Sequence, residues 1–429
     1  MSYKKVAVIG AGAMGAGIAQ VMAAASVNVV LIDIAPGFVE SGIKRIDGRF
    51  ASDVKKGKMS PEDKERFIGF VQGSVNQEDA RGVDLVIEAI IEDRKAKGDL
   101  FGNLNRICGP ETVFATNTST LSVTDLAVLS GRPKNFVGLH FFNPVAAMRL
   151  VEVIPALDTE REIVEGAASA MKEIKKAPVI VQDCPGFLVN RILLSYMNET
   201  LLAAEEGISP EAIDGEIRKI GFPMGPLELS DMVGWDVSLH TFPILHRAYG
   251  DRFPELKLVQ KLNDAGRLGL KSGKGVYSNG QIDDEYRTMV ASIGSKGSGK
   301  AFTVNRLMLK QINEAVYCLQ EGVGSAEDID KAVRGSFGLR LAVMGPLAVV
   351  DLAGVHLWYK GAQSLYPLLD ASKEPQRTWA EMVEKGFLGE RTGKGFFEYE
   401  PGSVPDIIKA RDKKLLELLR ILYHHKQGV

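Results

Sequence analysis

The stretch Lys5-Val-Ala-Val-Ile-Gly-Ala-Gly-Ala-Met-Gly15 decides the fold of this 429-residue chain. The apolar run after Lys5 predicts a buried parallel strand, a glycine-rich turn from Gly10 to Gly17 follows it, and the Ala-rich residues 18–25 predict a helix. Further predicted strands lie at residues 27–33, 83–88, 113–116, 136–140, 150–154 and 178–181. Because helical patterns alternate with these strands, the sequence predicts an α/β domain with a doubly wound, mostly parallel sheet.

The three glycines of this turn are spaced as in a dinucleotide-binding loop. The first allows a tight turn, the second lets the backbone approach a pyrophosphate, and the third lets the helix pack closely on the strand. The N-terminus of the helix also attracts the phosphate charge. The sequence therefore predicts a Rossmann domain over residues 1–183. The predicted cofactor contacts in the turn are Gly10, Gly12, Ala13, Met14 and Gly15.

Asp33 ends the second predicted strand, 18 residues after Gly15. A carboxylate at this place accepts hydrogen bonds from both ribose hydroxyls and repels a 2′-phosphate. The segment from Asp33 to Gly37 contains no arginine that would receive such a phosphate. We therefore predict NAD rather than NADP as the cofactor. The alternative is that Asp33 only caps the next segment of the chain.

The overall composition is that of an ordinary globular protein, with 45% hydrophobic and 25% charged residues. The formal net charge of -2 gives no reason to expect a nucleic-acid partner. The chain has three widely spaced cysteines and no Cys/His cluster, which argues against disulfides and a zinc site and favours a reducing compartment. The uncharged run at residues 6–32 is long enough for a membrane span, but it divides into strand, turn, helix and strand. We expect no membrane or metal partner and, because the first strand begins by Lys5, a cytoplasmic location.

A histidine and a glutamate indicate the chemistry of this domain. His140 ends one predicted strand, and Glu152 lies among apolar residues of another, where an acid needs a partner. Histidine is a natural general base for the oxidation of an alcohol, which sends a hydride to a nicotinamide and a proton to a base. We predict that His140 is this base and that Glu152 orients its ring. In isolation His140 would be interpreted as an ordinary hydrogen-bonded histidine, but the dinucleotide loop favours the catalytic role.

Two further polar features have a functional and a structural interpretation. Short polar residues from Thr116 to Thr120 follow a predicted strand on the side of the sheet where ligands bind, but they also suit an ordinary turn and helix cap. Asn190 falls on a largely apolar helical face. It either forms a hydrogen bond to the substrate or caps the helix that follows Pro185 and Gly186.

After residue 186 the apolar pattern becomes helical and the chain repeats itself. Asn190-Arg191, Asn198-Glu199 and Glu206-Gly207 recur 115 positions later as Asn305-Arg306, Asn313-Glu314 and Glu321-Gly322. We predict two copies of an all-α domain, at residues 184–290 and 301–429, joined by a Gly/Ser/Lys-rich linker at 294–300. The linker matches the start of a phosphate-binding loop, but Ala301 stands where Ser or Thr should bind magnesium, so we reject a nucleotide site there.

These motifs resemble those of the L-3-hydroxyacyl-CoA dehydrogenases over nearly the whole chain. The most specific matches are Leu139-His-Phe-Phe-Asn-Pro144 with Glu152, Asn117-Thr-Ser119, and Asp183-Cys-Pro-Gly-Phe-Leu-Val-Asn-Arg191. The tandem helical arrangement is similar to the dehydrogenase half of multifunctional fatty-acid oxidation proteins. The resemblance implies reversible, NAD-dependent oxidation of (S)-3-hydroxyacyl-CoA to 3-oxoacyl-CoA, as in fatty-acid β-oxidation or short-chain acyl-CoA metabolism.

The resemblance also implies roles for individual residues. It makes His140 the base and Glu152 its partner, places Ser119 and Asn190 against the 3-oxygen and thioester carbonyl of the substrate, and assigns Asn143 to the same catalytic site. The implied cofactor contacts outside the glycine turn are Ala89, Glu92, Lys97, Asn117 and Asn143. Arg49 stands where some members have a CoA-binding serine. Lys56, with Lys55 and Lys58, is therefore a candidate for the CoA phosphates, although a solvated charged face explains these lysines equally well.

Two other functions compete with an acyl-CoA dehydrogenase. The chain is alternatively a dehydrogenase for a free hydroxy acid, such as a sugar acid, or an inactive NAD-binding protein with a structural role. The second helical copy favours the acyl-CoA enzyme, and the complete set of implied catalytic residues argues against an inactive protein. We expect an acyl-CoA thioester as the partner. The chain is expected to be a monomer whose two helical copies form an intramolecular pseudo-dimer, or else a homodimer.

Overall fold

The structure is a computed structural model that describes residues 3–219, 224–294, 302–336, 345–369 and 375–424. Most of the predicted linker, with the rejected nucleotide loop, lies outside the described residues. The chain forms two compact units, Met1–Leu188 and Val189–Val429.

An eight-stranded sheet forms the centre of the first unit, with the strand order β3-β2-β1-β4-β5-β6-β7-β8. The strands are β1 (Lys5–Ile9), β2 (Asn28–Ile32), β3 (Val71–Ser74), β4 (Leu85–Glu88), β5 (Val113–Thr116), β6 (Phe136–Phe141), β7 (Leu150–Pro155) and β8 (Ala177–Ile180). Neighbouring strands are parallel except β6 and β7, which are antiparallel. The order of the strands reverses between β1 and β4, which is where ligands bind in open α/β sheets.

Helices connect the parallel strands of this sheet. They are α1 (Ala13–Ala24), α2 (Pro36–Lys55), α3 (Pro61–Ile68), α4 (Arg94–Ile107), α5 (Val123–Ser130) and α6 (Arg161–Glu173). Most strand residues are buried, as expected for a sheet that helices cover on both faces. The predicted Rossmann-like domain with its mostly parallel sheet is therefore confirmed.

Two details of the sequence prediction are wrong. The strand β3 was not predicted, because Val71-Gln-Gly-Ser74 is short and has no apolar run. The helix α1 begins at Ala13 rather than at residue 18, so the predicted turn is shorter than expected. Glycine lowers helix propensity, but here the small residues Gly15 and Gly17 are buried within the first turns, where close packing outweighs that cost.

The second unit is helical. Its helices are α7 (Val189–Glu205), α8 (Pro210–Lys219), α9 (Pro226–Val233), α10 (Trp235–Tyr249), α11 (Lys257–Asp264), α12 (Asp284–Ile293), α13 (Val304–Gln320), α14 (Ala326–Gly335), α15 (Pro346–Ala353), α16 (Val355–Leu369), α17 (Arg377–Glu384) and α18 (Val404–His424). The long helices α7 and α13 pack against each other. Large side chains such as Trp235, Phe253 and Trp379 are fully buried in this unit.

In the part of the chain that the structure describes, no helix has both the length and the apolar character needed to cross a bilayer. The uncharged run at residues 6–32, whose length suggested a span, folds instead into β1, α1 and β2.

Candidate active site

The glycine turn lies at the carboxyl end of β1. Gly10 has a φ of 103°, and a Cβ atom there would lie 2.5 Å from the carbonyl oxygen of Ala89. A Cβ atom at Gly15 would lie 1.8 Å from the carbonyl oxygen of Gly10, so only glycine allows α1 to begin this close to β1. At Gly12 a Cβ atom would meet nothing within 4 Å, and Gly12 has no side chain to cap α1. The open backbone and uncapped helix N-terminus fit the pyrophosphate of a dinucleotide.

Asp33 directly follows β2 and supports this turn. Its Oδ2 accepts a hydrogen bond from the amide nitrogen of Ala11 at 2.6 Å, and its Oδ1 accepts one from Ile34 at 2.7 Å. The N-cap of α2 is Ala35, so the alternative that Asp33 caps this helix is wrong. The carboxylate is half-buried beside the glycine turn, where its remaining lone pairs suit ribose hydroxyls.

A buried ion pair lies at the carboxyl end of β4. The Nζ atom of Lys97 is 2.5 Å from Oε1 of Glu88 and 3.2 Å from Oε2 of Glu92. The hydroxyl of Thr116 donates a hydrogen bond to the other oxygen of Glu88 at 2.6 Å. Glu88 and Lys97 are both buried, and charges at such depth are tolerated only with partners of this kind. Lys97, predicted to contact the cofactor, is therefore already engaged by two carboxylates.

One oxygen of Glu92 accepts several hydrogen bonds from the polar loop that follows β5. The Oε1 atom accepts hydrogen bonds from the hydroxyl of Thr118 at 2.6 Å and from the amide nitrogens of Ser119 and Thr120 at 2.8 and 3.0 Å. Burial opposes the charge of Glu92, but Lys97 and the bonds from Thr118 and Ser119 hold its pKa below the usual value. An ionised carboxylate thus fixes the loop that carries Ser119.

The strands β6 and β7 bring the predicted base and its partner together. His140 and Glu152 lie directly opposite each other in the antiparallel register, and Nδ1 of His140 is 2.6 Å from Oε2 of Glu152. His140 is 6% exposed and Glu152 is fully buried. A carboxylate is an acceptor of hydrogen bonds, so this contact suits the tautomer of His140 with its proton on Nδ1 and a lone pair on Nε2. This pair has the arrangement of a general base with a positioning carboxylate.

Neighbouring groups hold this pair in place. The other oxygen of Glu152 accepts a hydrogen bond from the amide nitrogen of Leu188 at 3.1 Å. The rings of Phe142 and Phe187 lie 4.5 and 5.7 Å from the imidazole, measured between ring centroids. The side-chain oxygen of Asn117 accepts a hydrogen bond from the amide nitrogen of Phe141 at 2.8 Å, which ties the loop after β5 to β6.

Two further predicted site residues of the first unit are exposed, and a third belongs to the second unit. Asn143 is exposed in the turn after β6. Lys56 is exposed at the C-terminal end of α2. Asn190 belongs to the second unit and lies in the first turn of α7, after its first residue Val189, so it is not the N-cap that the structural alternative required.

Sequence reasoning missed Glu88 and the contact between Glu92 and the Ser119 loop. A glutamate at the end of a buried strand was the available signal for Glu88, since such an acid needs a partner. The contact of Glu92 joins residues 27 positions apart in the chain, and no local pattern indicates it.

Comparison with known proteins identifies the class. The sequence model of the 3-hydroxyacyl-CoA dehydrogenase NAD binding domain matches residues 5–184, and that of the C-terminal domain matches residues 186–279 and 302–399. The chain therefore belongs to the 3-hydroxyacyl-CoA dehydrogenase family. This result confirms the resemblance inferred from the motifs, the oxidoreductase class and NAD as the cofactor.

Individual relatives agree with this assignment. A probable 3-hydroxybutyryl-CoA dehydrogenase of Bacillus subtilis is 42% identical over 281 residues, which are 65% of this chain and 98% of that protein. A fatty acid oxidation complex subunit alpha of Shewanella frigidimarina is 35% identical over 376 residues, 85% of this chain but 53% of that subunit. The chain thus spans about half the length of such subunits. The crystal structure of a 3-hydroxybutyryl-CoA dehydrogenase from Escherichia coli has a TM-score of 0.79 and 31% identity, and the match covers 90% of this chain and 100% of that one.

Proposed function

We propose that this protein catalyses the reversible, NAD-dependent oxidation of an (S)-3-hydroxyacyl-CoA to the 3-oxoacyl-CoA. The 2.6 Å contact between His140 and Glu152 in the unit that also carries the glycine turn is the observation on which the proposal depends. The names of the similar proteins, which are 3-hydroxybutyryl-CoA dehydrogenases and fatty acid oxidation subunits, support an acyl-CoA as the substrate.

The chain's own residues account for the proton transfer. Glu152 keeps the proton of His140 on Nδ1, so Nε2 accepts the proton of the 3-hydroxyl group. The imidazolium that forms is stabilised by the carboxylate beside it, as in other paired base and carboxylate sites. Bound NAD supplies the acceptor for the hydride. In the reverse direction the same imidazolium returns its proton to the 3-oxygen.

The remaining predicted residues have binding roles in this proposal. Ser119 and Asn190 donate hydrogen bonds to the substrate. Glu92 fixes the conformation of the loop that carries Ser119 by accepting a hydrogen bond from its amide nitrogen. Asn143 completes the catalytic site, and Lys56 contacts the CoA phosphates. The residues proposed to contact NAD are Gly10, Gly12, Ala13, Met14, Gly15, Asp33, Ala89, Glu92, Lys97, Asn117 and Asn143.

Removal of the Asp33 carboxylate tests its proposed role in cofactor choice. Asp33→Ser, alone or with Ile34→Arg, is expected to shift the ratio of kcat/KM values for NADPH and NADH toward NADPH by about tenfold, because the group that repels a 2′-phosphate is gone. The ratio is measured by steady-state reduction of a 3-oxoacyl-CoA with each cofactor. A wild-type protein that used NADPH as well as NADH would show that Asp33 does not select the cofactor.

The requirement for CoA separates the proposed enzyme from a dehydrogenase for free hydroxy acids. We expect kcat/KM for a 3-hydroxyacyl-CoA to exceed that for the matching free 3-hydroxy acid by at least about tenfold, because binding energy from the CoA moiety contributes to the transition state. A panel of both substrate types, followed by NADH absorbance, measures this difference. Equal values would favour the free-acid enzyme, and no turnover of either type would favour an inactive NAD-binding protein.

We also propose that the helical unit contains two copies of one domain, at residues 184–290 and 301–429. The recurrence of residue pairs 115 positions apart supports this division, as do the two ranges matched by the C-terminal-domain model. A Rossmann domain over residues 1–183 precedes the two copies in this arrangement.

Reciprocal ion pairs between α7 and α13 support the duplication. Arg191 of α7 lies 2.5 Å from Glu314 of α13, and Arg306 of α13 pairs with Glu199 of α7. Arg306 and Glu314 stand 115 positions after Arg191 and Glu199, so the same contact is made in both directions. An ion pair that is repeated with the two helices interchanged is expected at a two-fold symmetric interface.

A buried aspartate under a helix N-terminus also occurs twice. Asp214 accepts a hydrogen bond from the amide nitrogen of Leu227 in α9 at 2.9 Å, and Asp330 accepts one from Leu347 in α15 at 2.8 Å. A Cβ atom on the glycine before either helix would lie within 2.2 Å of the aspartate side chain. The same unusual packing in both halves is what duplication of one domain predicts.

These observations support an intramolecular pseudo-dimer, in which each copy covers the surface that the other would expose. The chain can then be stable as a monomer, and a homodimer through other surfaces is the alternative. The same proposal includes a cytoplasmic location and no nucleic-acid or membrane partner.

A further inference from the structure

Lys176 is a buried cation outside the residues assigned above. It lies immediately before β8, and it is 7% exposed. We propose that Lys176 is a positioning residue, which holds the turn between β6 and β7 in the shape that catalysis requires. This inference rests on the proposed function, because the turn matters only if the residues on these two strands act in the reaction.

The ammonium group of Lys176 bridges two backbone carbonyl groups of this turn. Its Nζ atom donates hydrogen bonds to the carbonyl oxygen of Val145 and, at 2.8 Å, to that of Met148. An ammonium group has three donors and no acceptor, so it suits two carbonyl oxygens that face the same point. The next residue, Ala177, donates its amide hydrogen to the carbonyl oxygen of Arg149 at 2.7 Å, which anchors the end of the turn to the same strand.

The turn connects the parts of the candidate site. It begins beside Asn143 and joins the strands on which His140 and Glu152 lie opposite each other. Val145 is buried against α1, the helix that opens at the dinucleotide loop, and a Cβ atom at Gly17 would lie 2.9 Å from the Val145 side chain. A shift of the turn would therefore move Asn143 and disturb the contact with α1.

The charge of Lys176 is costly where it lies. Burial lowers the pKa of Lys176 to about 8, and the positive charge of Arg149 acts in the same direction. Among the described residues its ammonium group contacts carbonyl oxygens and no carboxylate. An apolar side chain would fill the same space without the cost of burying a charge. The two carbonyl groups, which would otherwise lose this donor, explain why a cation is present.

The test compares Lys176→Met and Lys176→Arg with the wild-type protein. We expect Lys176→Met to lower kcat for a 3-hydroxyacyl-CoA on the order of tenfold, because a displaced turn misplaces reacting groups. The affinity for NADH, measured by fluorescence, should change by less than about threefold. Lys176→Arg keeps the charge and the donors and should recover most of kcat. Lys172→Met removes an exposed lysine of α6 and serves as the matched control, with unchanged kcat.

Hydrogen exchange gives a second measurement that does not depend on turnover. The amide nitrogens of Ala147 and Met148 donate to the carbonyl oxygen of Pro144 within the turn. Their exchange should become faster in Lys176→Met and stay unchanged in Lys172→Met. If Lys176→Met does not fold, Lys176→Gln is used instead; its shorter, uncharged side chain keeps an amide donor, so a smaller loss of kcat and a smaller rise in exchange are expected than for Met.

Three outcomes would overturn the inference. These are a normal kcat per folded molecule in Lys176→Met, an equal loss of kcat in the Met and Arg variants, and unchanged exchange at Ala147 and Met148. A wild-type protein without activity on any 3-hydroxyacyl-CoA refutes the proposed function instead, and the exchange measurement then decides whether Lys176 holds the turn.

Discussion

Replacement of His140 by glutamine is expected to lower kcat by on the order of 10²–10⁴-fold, the range found when a general base is removed. Glutamine has a similar size and can keep a hydrogen bond to Glu152, but it cannot take the proton of the 3-hydroxyl group. The affinity for NADH should change little, because the glycine turn and Asp33 follow other strands, β1 and β2. Steady-state oxidation of a 3-hydroxyacyl-CoA and NADH fluorescence titration measure the two effects.

Two further variants sharpen this test. Glu152→Gln should also lose activity, because a neutral amide does not stabilise an imidazolium ion. His240→Gln changes an exposed histidine of α10, whose ring contacts the carbonyl group of Asp236, and should keep the wild-type kcat. A kcat near the wild-type value in His140→Gln would mean that another group is the base.

Replacement of Asn190 by alanine is expected to lower kcat/KM by about 10²-fold, a typical loss for one donor that acts on a developing charge. Asn305, its counterpart 115 positions later, should be replaceable by alanine with kcat/KM nearly unchanged. The reason is that the NAD binding domain is matched at residues 5–184, before the proposed first copy, so Asn305 in the proposed second copy is expected to serve no cofactor. Both variants are compared by steady-state kinetics with the same acyl-CoA substrate.

The two asparagines are matched controls for each other, since each lies in the first turn of a long helix, α7 or α13. Equal losses in the two variants would mean that the copies do not have different roles. Truncation before Val304 tests the structural role of the second copy, because exposure of the α7 surface should cause aggregation or a new dimer. A soluble and fully active monomer of residues 1–290 would contradict the pseudo-dimer proposal.

Local sequence patterns predict some features of the first unit and not others. The spacing of Gly10 and Gly15 predicts the turn, because the close approaches at these two positions involve backbone that is near in the chain or on the neighbouring strand. The start of α1 and the strand β3 were not predicted correctly, since packing of small residues and pairing with β2 decide them. Both depend on residues distant in the chain, and propensity alone underestimates them.

The sequence by itself determined the class of protein. Apolar periodicity, the spacing of three glycines, an acid at the end of a strand and the 115-residue recurrence are all properties of residues near one another or at fixed separations. The tertiary structure alone decided which side chains meet. His140 contacts Glu152 because β6 and β7 pair in one antiparallel register, and a shift by one residue would turn these side chains to opposite faces. Likewise Arg191 reaches Glu314, 123 positions away, only because α7 packs on α13, and the burial that makes a charge without a partner costly exists only in the folded chain.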